Sequence, residues 1–346
     1  MTAFVELGLD TFGDITEGAD GQLLPAPLVL RQVVAEGVLA DQVGVDFFGV
    51  GEHHRDDFAV SAPEVVLAAI AARTSRIHLG SAVTVLSSDD PVRVYQRFAT
   101  LDGISNGRAE IILGRGSFTE SFPLFGYPLD QYNVLFEEKL ELFAELLKEG
   151  PTTWRGTTRA PLVKQQVYPV TAKPPIRTWI GVGGSPESVV RAAHYGFPLT
   201  LAIIGGDPRR FVPYVQLYQR ALTELGREPL PIAVHSPGHI ADTDEAAREA
   251  MWPAFKAMHD RIGRERGWPP MQRAHFDQEI ASGSLYVGSP ETVAQKIAAT
   301  VRALGISRFD LKYSAGRLAH ERLLRCIELY GTIVIPRVRE LLGQAS

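Results

Sequence analysis

The chain has 346 residues, a net charge of −5, 45 % apolar residues and 22 % charged ones. These values describe an ordinary globular chain with a large core, of a length that one α/β barrel fills as a single domain over residues 1–346. Acidic and basic residues are interspersed, which excludes the basic stripe of a nucleic-acid binder, and no apolar run reaches the ~20 residues that cross a bilayer.

Along the chain, short β-rich runs alternate with helical stretches. Phe4–Leu9 predicts a first strand. Leu28–Gln42 predicts a helix with an apolar stripe through Leu30, Val33, Val34, Val38 and Leu39. Strand two is expected at Asp46–Gly51 and its helix at Pro63–Arg73; strand three lies in Arg76–Leu86, followed by a helix at Pro91–Gly103. Strand four is Arg108–Leu113, then a helix at Tyr132–Lys148. Strand five is Arg177–Val182, and its helix Pro186–Tyr195 stops before Gly196. Leu199–Ile204 and Pro208–Leu225 make the sixth pair. Pro231–Ala241 is followed by a long helix over Asp244–Arg264, and Arg308–Lys312 by a closing helix over Ala319–Leu342. Eight such pairs predict an α/β fold, a (β/α)8 TIM barrel.

Three segments exceed a minimal barrel: Gly116–Gln131 after strand four, Gly150–Pro175 after helix four, and Arg266–Gly288 between strands seven and eight. The last is rich in Gly, Pro, His and aromatics with weak periodicity, and is expected to be a mobile lid. The single cysteine, Cys326, excludes an internal disulfide and fits a reducing cytoplasm. The start carries no basic run followed by a long apolar one, so no signal peptide is expected.

In a parallel barrel the chemistry collects where strands end. Strand two ends in Gly51-Glu52-His53-His54-Arg55-Asp56-Asp57, a charge-dense run suited to acid–base work and equally to tying loops together. No HxH or HExxH spacing is present, so no metal is expected. Strand three runs into Gly80–Leu86, whose small residues fit either a buried strand or the close approach of a flat ligand. Strand four ends in Gly114-Arg115-Gly116-Ser117, a cation flanked by accessible backbone N–H groups and suited to an anion. Strand five ends in Gly183-Gly184-Ser185-Pro186-Glu187-Ser188, a glycine turn into a helix start that suits phosphate or simple capping. Phe118, Phe122, Phe125 and Tyr127 suggest an apolar wall or loop packing. The polar residues of Asp310–Ser314, where strand eight ends, and His235 and Ser236 in strand seven fit either the lining of the mouth or packing and rim positions. The helix Pro63–Arg73, with Ala68, Ala69, Ala71 and Ala72, has small residues on more than one face and is expected to pair two subunits with the following helix.

The ordered set Gly51–Asp57, Gly80–Arg93, Asn106–Ser117, Ile180–Gly196 and Val287–Ile297, with the ending Glu328-Leu329-Tyr330-Gly331-Thr332 and Val334-Ile335-Pro336, resembles the bacterial luciferase-like, flavin-dependent oxidoreductase family. The resemblance implies FMN, or the deazaflavin F420 as the alternative, at the C-terminal mouth of the barrel. Arg115, Gly183, Gly184, Ser185 and Ser188 would hold its phosphate. Ala82, Val83 and Thr84 would lie beside the ring, with a non-prolyl cis bond between Ala82 and Val83. His53 would be the acid/base; from the residues themselves, Glu52 or a loop carbonyl is expected to orient it. Gly114 stands where the luciferases carry a reactive cysteine, so light emission is not implied. The implied chemistry is monooxygenation of a small organic substrate by O2 through a flavin peroxide, with reduced FMN from a separate flavin reductase and a homodimeric protein. F420-linked hydride transfer and a flavin binder without turnover are the alternatives.

Overall fold

Parallel strands are covered on both faces, so they read as near-continuous apolar runs, and closing them into a barrel leaves no edge. The structure, a computed structural model, describes residues 4–116, 118–172 and 175–344; Ser117 of the strand-four motif and the first residues of the chain lie outside them. The barrel strands are β1 (Glu6–Thr11), β2 (Phe47–Val50), β3 (His78–Ser81), β4 (Ala109–Gly114), β5 (Arg177–Val182), β6 (Leu199–Ala202), β7 (Ile232–Ile240) and β8 (Arg308–Lys312). Each pairs in parallel with the next, and β8 pairs with β1, so the sheet closes into the expected barrel.

The helices are α1 (Ala26–Gln42), α2 (Pro63–Ala71), α3 (Pro91–Ser105), α4 (Tyr132–Leu146), α5 (Pro186–Tyr195), α6 (Val212–Glu224), α7 (Asp244–Arg266), α8 (Arg273–Ser282), α9 (Pro290–Leu304) and α10 (His320–Leu329). Their starts are chemically marked. Asp90 accepts from the Val92 and Arg93 amides at α3, and Thr243 accepts from Ala246 at α7. Among the described residues no helix is long and apolar enough to cross a membrane.

Two expectations are corrected. The closing helix is not continuous: α10 passes through a π turn at Tyr330–Val334 into a short helix, Ile335–Leu341. Pro336 has no N–H to donate one turn back, and a wide turn accommodates its ring. The segment expected to be a lid is largely packed structure. Phe276 and Ile280 of α8 are buried, Phe276 against Trp252 and Phe255, and Tyr286–Gly288 adds a strand to the end of β7. Two apolar anchors four residues apart order this helix, too sparse a stripe to stand out in the sequence. The insertion after α4 holds an antiparallel pair, Thr152–Trp154 with Leu162–Gln165.

The barrel lumen has two layers below its mouth. Where the strands begin, Arg308 is fully buried, with Nε 2.9 Å from Asp310 and Nη1 2.6 Å from Glu110. Its guanidinium lies 3.4 Å over the Phe47 ring. Glu110 also accepts from Trp179 Nε1 at 3.0 Å and Arg177 at 3.0 Å. Burial would raise the Glu110 pKa, but Arg308, His78 and Arg177 outweigh it and hold the carboxylate well below its usual range. Above this plug, Phe47, Ile112, Trp179 and Ala233 form a small inner core, separate from the large core between strands and helices.

Candidate functional site

Side chains two apart on a strand face the same way. Above the inner core, therefore, Phe47 is followed by Gly49 and Gly51, Ile112 by Gly114, Trp179 by Gly181 and Gly183, and Ala233 by His235. Most of the inward row at the mouth has no side chain. The space over the lower glycines is taken by Ala82 and Val83, whose peptide bond is cis. A Cβ at Gly114 would lie 2.6 Å from a Val83 methyl, and one at Gly51 2.7 Å from the Ala82 carbonyl oxygen. Val83 packs on the inner core and forms a floor. At Gly114 a larger residue would collide with Val83 in this position. Higher up, a Cβ at Gly183 would meet no heavy atom within 4 Å, so the wall there is bare backbone beside open space. Thr84 is buried, and its hydroxyl has no hydrogen-bond partner among the described residues.

The strand-four and strand-five motifs converge because β4 and β5 are neighbours, with Leu113 opposite Ile180. Arg115 leans over the Tyr132 ring at 5.4 Å and reaches Asn133 Oδ1 at 3.3 Å. Ser185 caps α5, with the Ser188 amide 3.4 Å from its Oγ. Gly184, at φ +114°, turns the chain into the helix, and Tyr214 donates to its carbonyl at 2.9 Å. The sequence reading missed a second cation, Arg191, whose Nη1 lies 3.1 Å from Ser188 Oγ. Its one sequence signal is the three-residue helical spacing from Ser188. The Glu187 carboxyl is held below its usual range, first by the hydrogen bond from Ser185 at 2.6 Å and also by the fields of Arg115 and Arg191. Arg191 is itself paired to Glu137, so the anion cradle consists of Arg115, one hydroxyl cap and a helix start, with Arg191 behind it and Glu187 at its edge.

His53 and Glu52 are separated rather than paired. His53 is enclosed by three phenyl rings, Phe58 at 4.4 Å, Phe118 at 4.9 Å and Phe12 at 5.0 Å. Its carboxylate neighbour is Glu120, 3.6 Å from Nδ1, in the insertion after β4. Nothing in the sequence links Glu120 to His53, 67 residues away; only the fold brings them together. Glu52 turns the other way. It accepts from the Val85 amide at 3.3 Å and lies 4.0 Å from His54 Nε2. Of the orienting groups expected for His53, Glu52 is therefore not the one observed: the chain has left the strand at Val50, and Glu52 turns to the Val85 amide while Glu120 faces His53.

Burial, reinforced by the charges of Glu64 and Asp89, pushes the Glu52 pKa up to about 8. A carboxyl raised on folding contributes stability that is fully present below its unfolded pKa and is lost as pH rises through the folded value. Wild type should thus lose a few kcal/mol of unfolding free energy between about pH 5 and about pH 8.5, at roughly 1.4 kcal/mol per unit, and Glu52→Gln should flatten that slope. Urea unfolding across this range checks it; parallel slopes for the two proteins would refute the assignment.

A latch closes one side of the mouth. Arg55, two residues beyond His53, makes two 2.8 Å bonds to Glu265 at the end of α7, and Arg261 pairs with Asp56 and Asp57. Phe118 lies between Arg55 at 4.7 Å and Arg266 at 5.1 Å.

Comparison with known proteins adds three kinds of likeness. The family model described as luciferase-like monooxygenase matches residues 11–308. An alkanal monooxygenase alpha chain from Photorhabdus luminescens is 27 % identical over 347 residues, covering 90 % of this chain and 93 % of its own. Among solved structures, the oxygenating constituent of 3,6-diketocamphane monooxygenase from Pseudomonas putida, in complex with FMN, superposes with a TM-score of 0.76 at 20 % identity. It covers 97 % of this chain and 99 % of its own. The coenzyme F420 dependent tetrahydromethanopterin reductase from Methanopyrus kandleri gives 0.73 at 21 %, covering 97 % and 100 %.

Proposed function

Since the chain belongs to the luciferase-like monooxygenase family, we propose that it is an FMN-dependent monooxygenase that inserts one atom of O2 into a small organic substrate. The observation that carries this reading is the Ala82–Val83 floor, set on glycines, beside a cradle of Arg115 and the α5 start. The floor and the bare backbone at Gly183 suit a flat ring, the cradle suits a phosphate, and the unpartnered Thr84 hydroxyl offers a polar contact. Bound flavin, reduced by a separate reductase, would supply the oxygen activation. The chain's own work is to bind and orient the ring, to exclude water with the phenyl rings around His53, and to move a proton at a His53 ring nitrogen.

Arg115→Ala should weaken FMN binding by about 1.5–3 kcal/mol, the loss of a charge-assisted hydrogen bond. Glu187→Gln should strengthen it, because it removes a negative charge from the cradle. Flavin fluorescence titration of the folded variants reads both, and unchanged FMN affinity in the Arg115 variant would sink the phosphate assignment. The same titration with F420 decides the alternative: tighter binding of F420 than of FMN would reassign the protein to hydride transfer.

We also propose a homodimer through α2 and α3. Val65 and Ala69 of α2, with Ala72 just past its end, form an exposed stripe whose alanines let a partner helix approach closely, and Ile104 of α3 is exposed as well. Light scattering should give twice 37.9 kDa. A monomer, or a dimer that survives Ala69→Glu with Ala72→Glu, would reject this interface.

A further inference from the structure

The mouth holds a second histidine that the flavin reading leaves unused. His235 follows Ala233 of the inner core by two residues on β7, so it points into the lumen. Its Nδ1 lies 2.7 Å from Asp10 Oδ2, across β8 and 225 residues away in sequence. Its ring stacks on Phe12 at 6.1 Å and 14°, and the Phe12 edge in turn meets His53. Resting on the FMN-monooxygenase reading above, we propose that His235, held by Asp10, contacts the organic substrate directly and donates its Nε2–H to a substrate oxygen, a carbonyl or a deprotonated hydroxyl.

Three features carry this assignment. First, the carboxylate fixes which nitrogen is available. Nδ1–H is directed at Asp10, and among the described residues no hydrogen bond engages Nε2. The geometry is that of a carboxylate-backed imidazole, in which the acid sets tautomer and ring orientation and stabilises the charged form. Second, the groups facing it favour the protonated ring. Burial opposes the charge, but Asp10 on β1 and Asp310 on β8 outweigh burial and the repulsion from Lys312, so the pKa is raised. Third, the competing cation is already engaged. Lys312 also lies against Phe12, at 4.7 Å, but its ammonium bonds Asp14 at 3.0 Å and the Ser314 carbonyl at 2.6 Å. Of the two basic side chains at this ring, His235 is the one with a nitrogen left over. Phe12 and Phe58 beside it, at 61° to each other, make the surroundings of His235 apolar and leave His235 to read the substrate's oxygen.

The test uses p-nitrophenolate and nitrobenzene as probes, equal in shape except for the oxygen, with the FMN-loaded protein and His235→Gln. We expect p-nitrophenolate, followed by its own absorbance, to bind about 10- to 100-fold more weakly to the variant, the scale of a hydrogen bond to a charged group. Nitrobenzene should bind both proteins alike. Asp10→Asn should shift the loss of p-nitrophenolate binding with rising pH to lower pH, together with the His235 titration read by 15N NMR of the imidazole. Equal p-nitrophenolate affinity in wild type and His235→Gln, or no saturable binding to wild type, overturns the assignment. FMN titration of both proteins separates the two readings. If wild type binds no FMN, the cofactor reading falls, while the probe comparison, repeated without FMN, still decides His235.

Discussion

Replacing Arg308 by Met should lower the unfolding free energy by about 3–5 kcal/mol at neutral pH, because it removes the shared partner of two carboxylates buried in the barrel. Arg308 is the shared partner of Glu110 at 2.6 Å and Asp310 at 2.9 Å, and both acids are almost wholly buried. The pH dependence gives a second signature. Glu110 is depressed in the wild type, so it contributes stability above its unfolded pKa that is lost as pH falls through the folded value. Asp310 is raised to about 6, mainly by burial and despite Arg308, so its contribution has the opposite sign and is lost as pH rises. Without Arg308 both acids lose the largest charge that favours their ionised form, so the deficit of the variant should shrink as pH falls toward about 5. Urea unfolding at both pH values measures this. Adding Glu110→Gln should recover a large part of the loss, since a carboxamide is far easier to bury than a charge. A deficit under about 1 kcal/mol would mean that the plug is not an obligatory ion network.

The second large effect is catalytic. His53→Asn should bind FMN as wild type does and lose about 10²–10⁴-fold in product formation, the usual loss when a general acid/base is removed. The assay is single turnover with reduced FMN and air on an aliphatic aldehyde or a cyclic ketone, whichever the wild type oxidises. Glu120→Gln should reproduce part of the defect, because its carboxylate is the one facing His53, 3.6 Å from Nδ1. Full turnover by His53→Asn would make the phenyl-caged histidine a packing residue. Loss of FMN binding in the same variant would instead place it in cofactor binding.

The sequence by itself determined the barrel. Apolar runs of strand length alternated with amphipathic helices, and Ser, Asp, Pro and Gly stood at helix ends, where backbone groups lack partners. These are local rules, and they located β5 and β8 to the residue. They also marked Arg115 and the Gly183–Ser188 turn, since a cation among glycines and a capped helix start are contiguous signals. Only the tertiary structure decided what faces what. Barrel closure brought Asp10 to His235 and Glu120 to His53, pairs with no sequence relation. The turn after β2 directed Glu52 to the Val85 amide and away from His53, and the close seat of Val83 over Gly114 depends on two separate strand ends meeting. Local periodicity is set by backbone geometry and survives in any fold. Side-chain partnerships across a lumen depend on register and closure, which no single segment encodes.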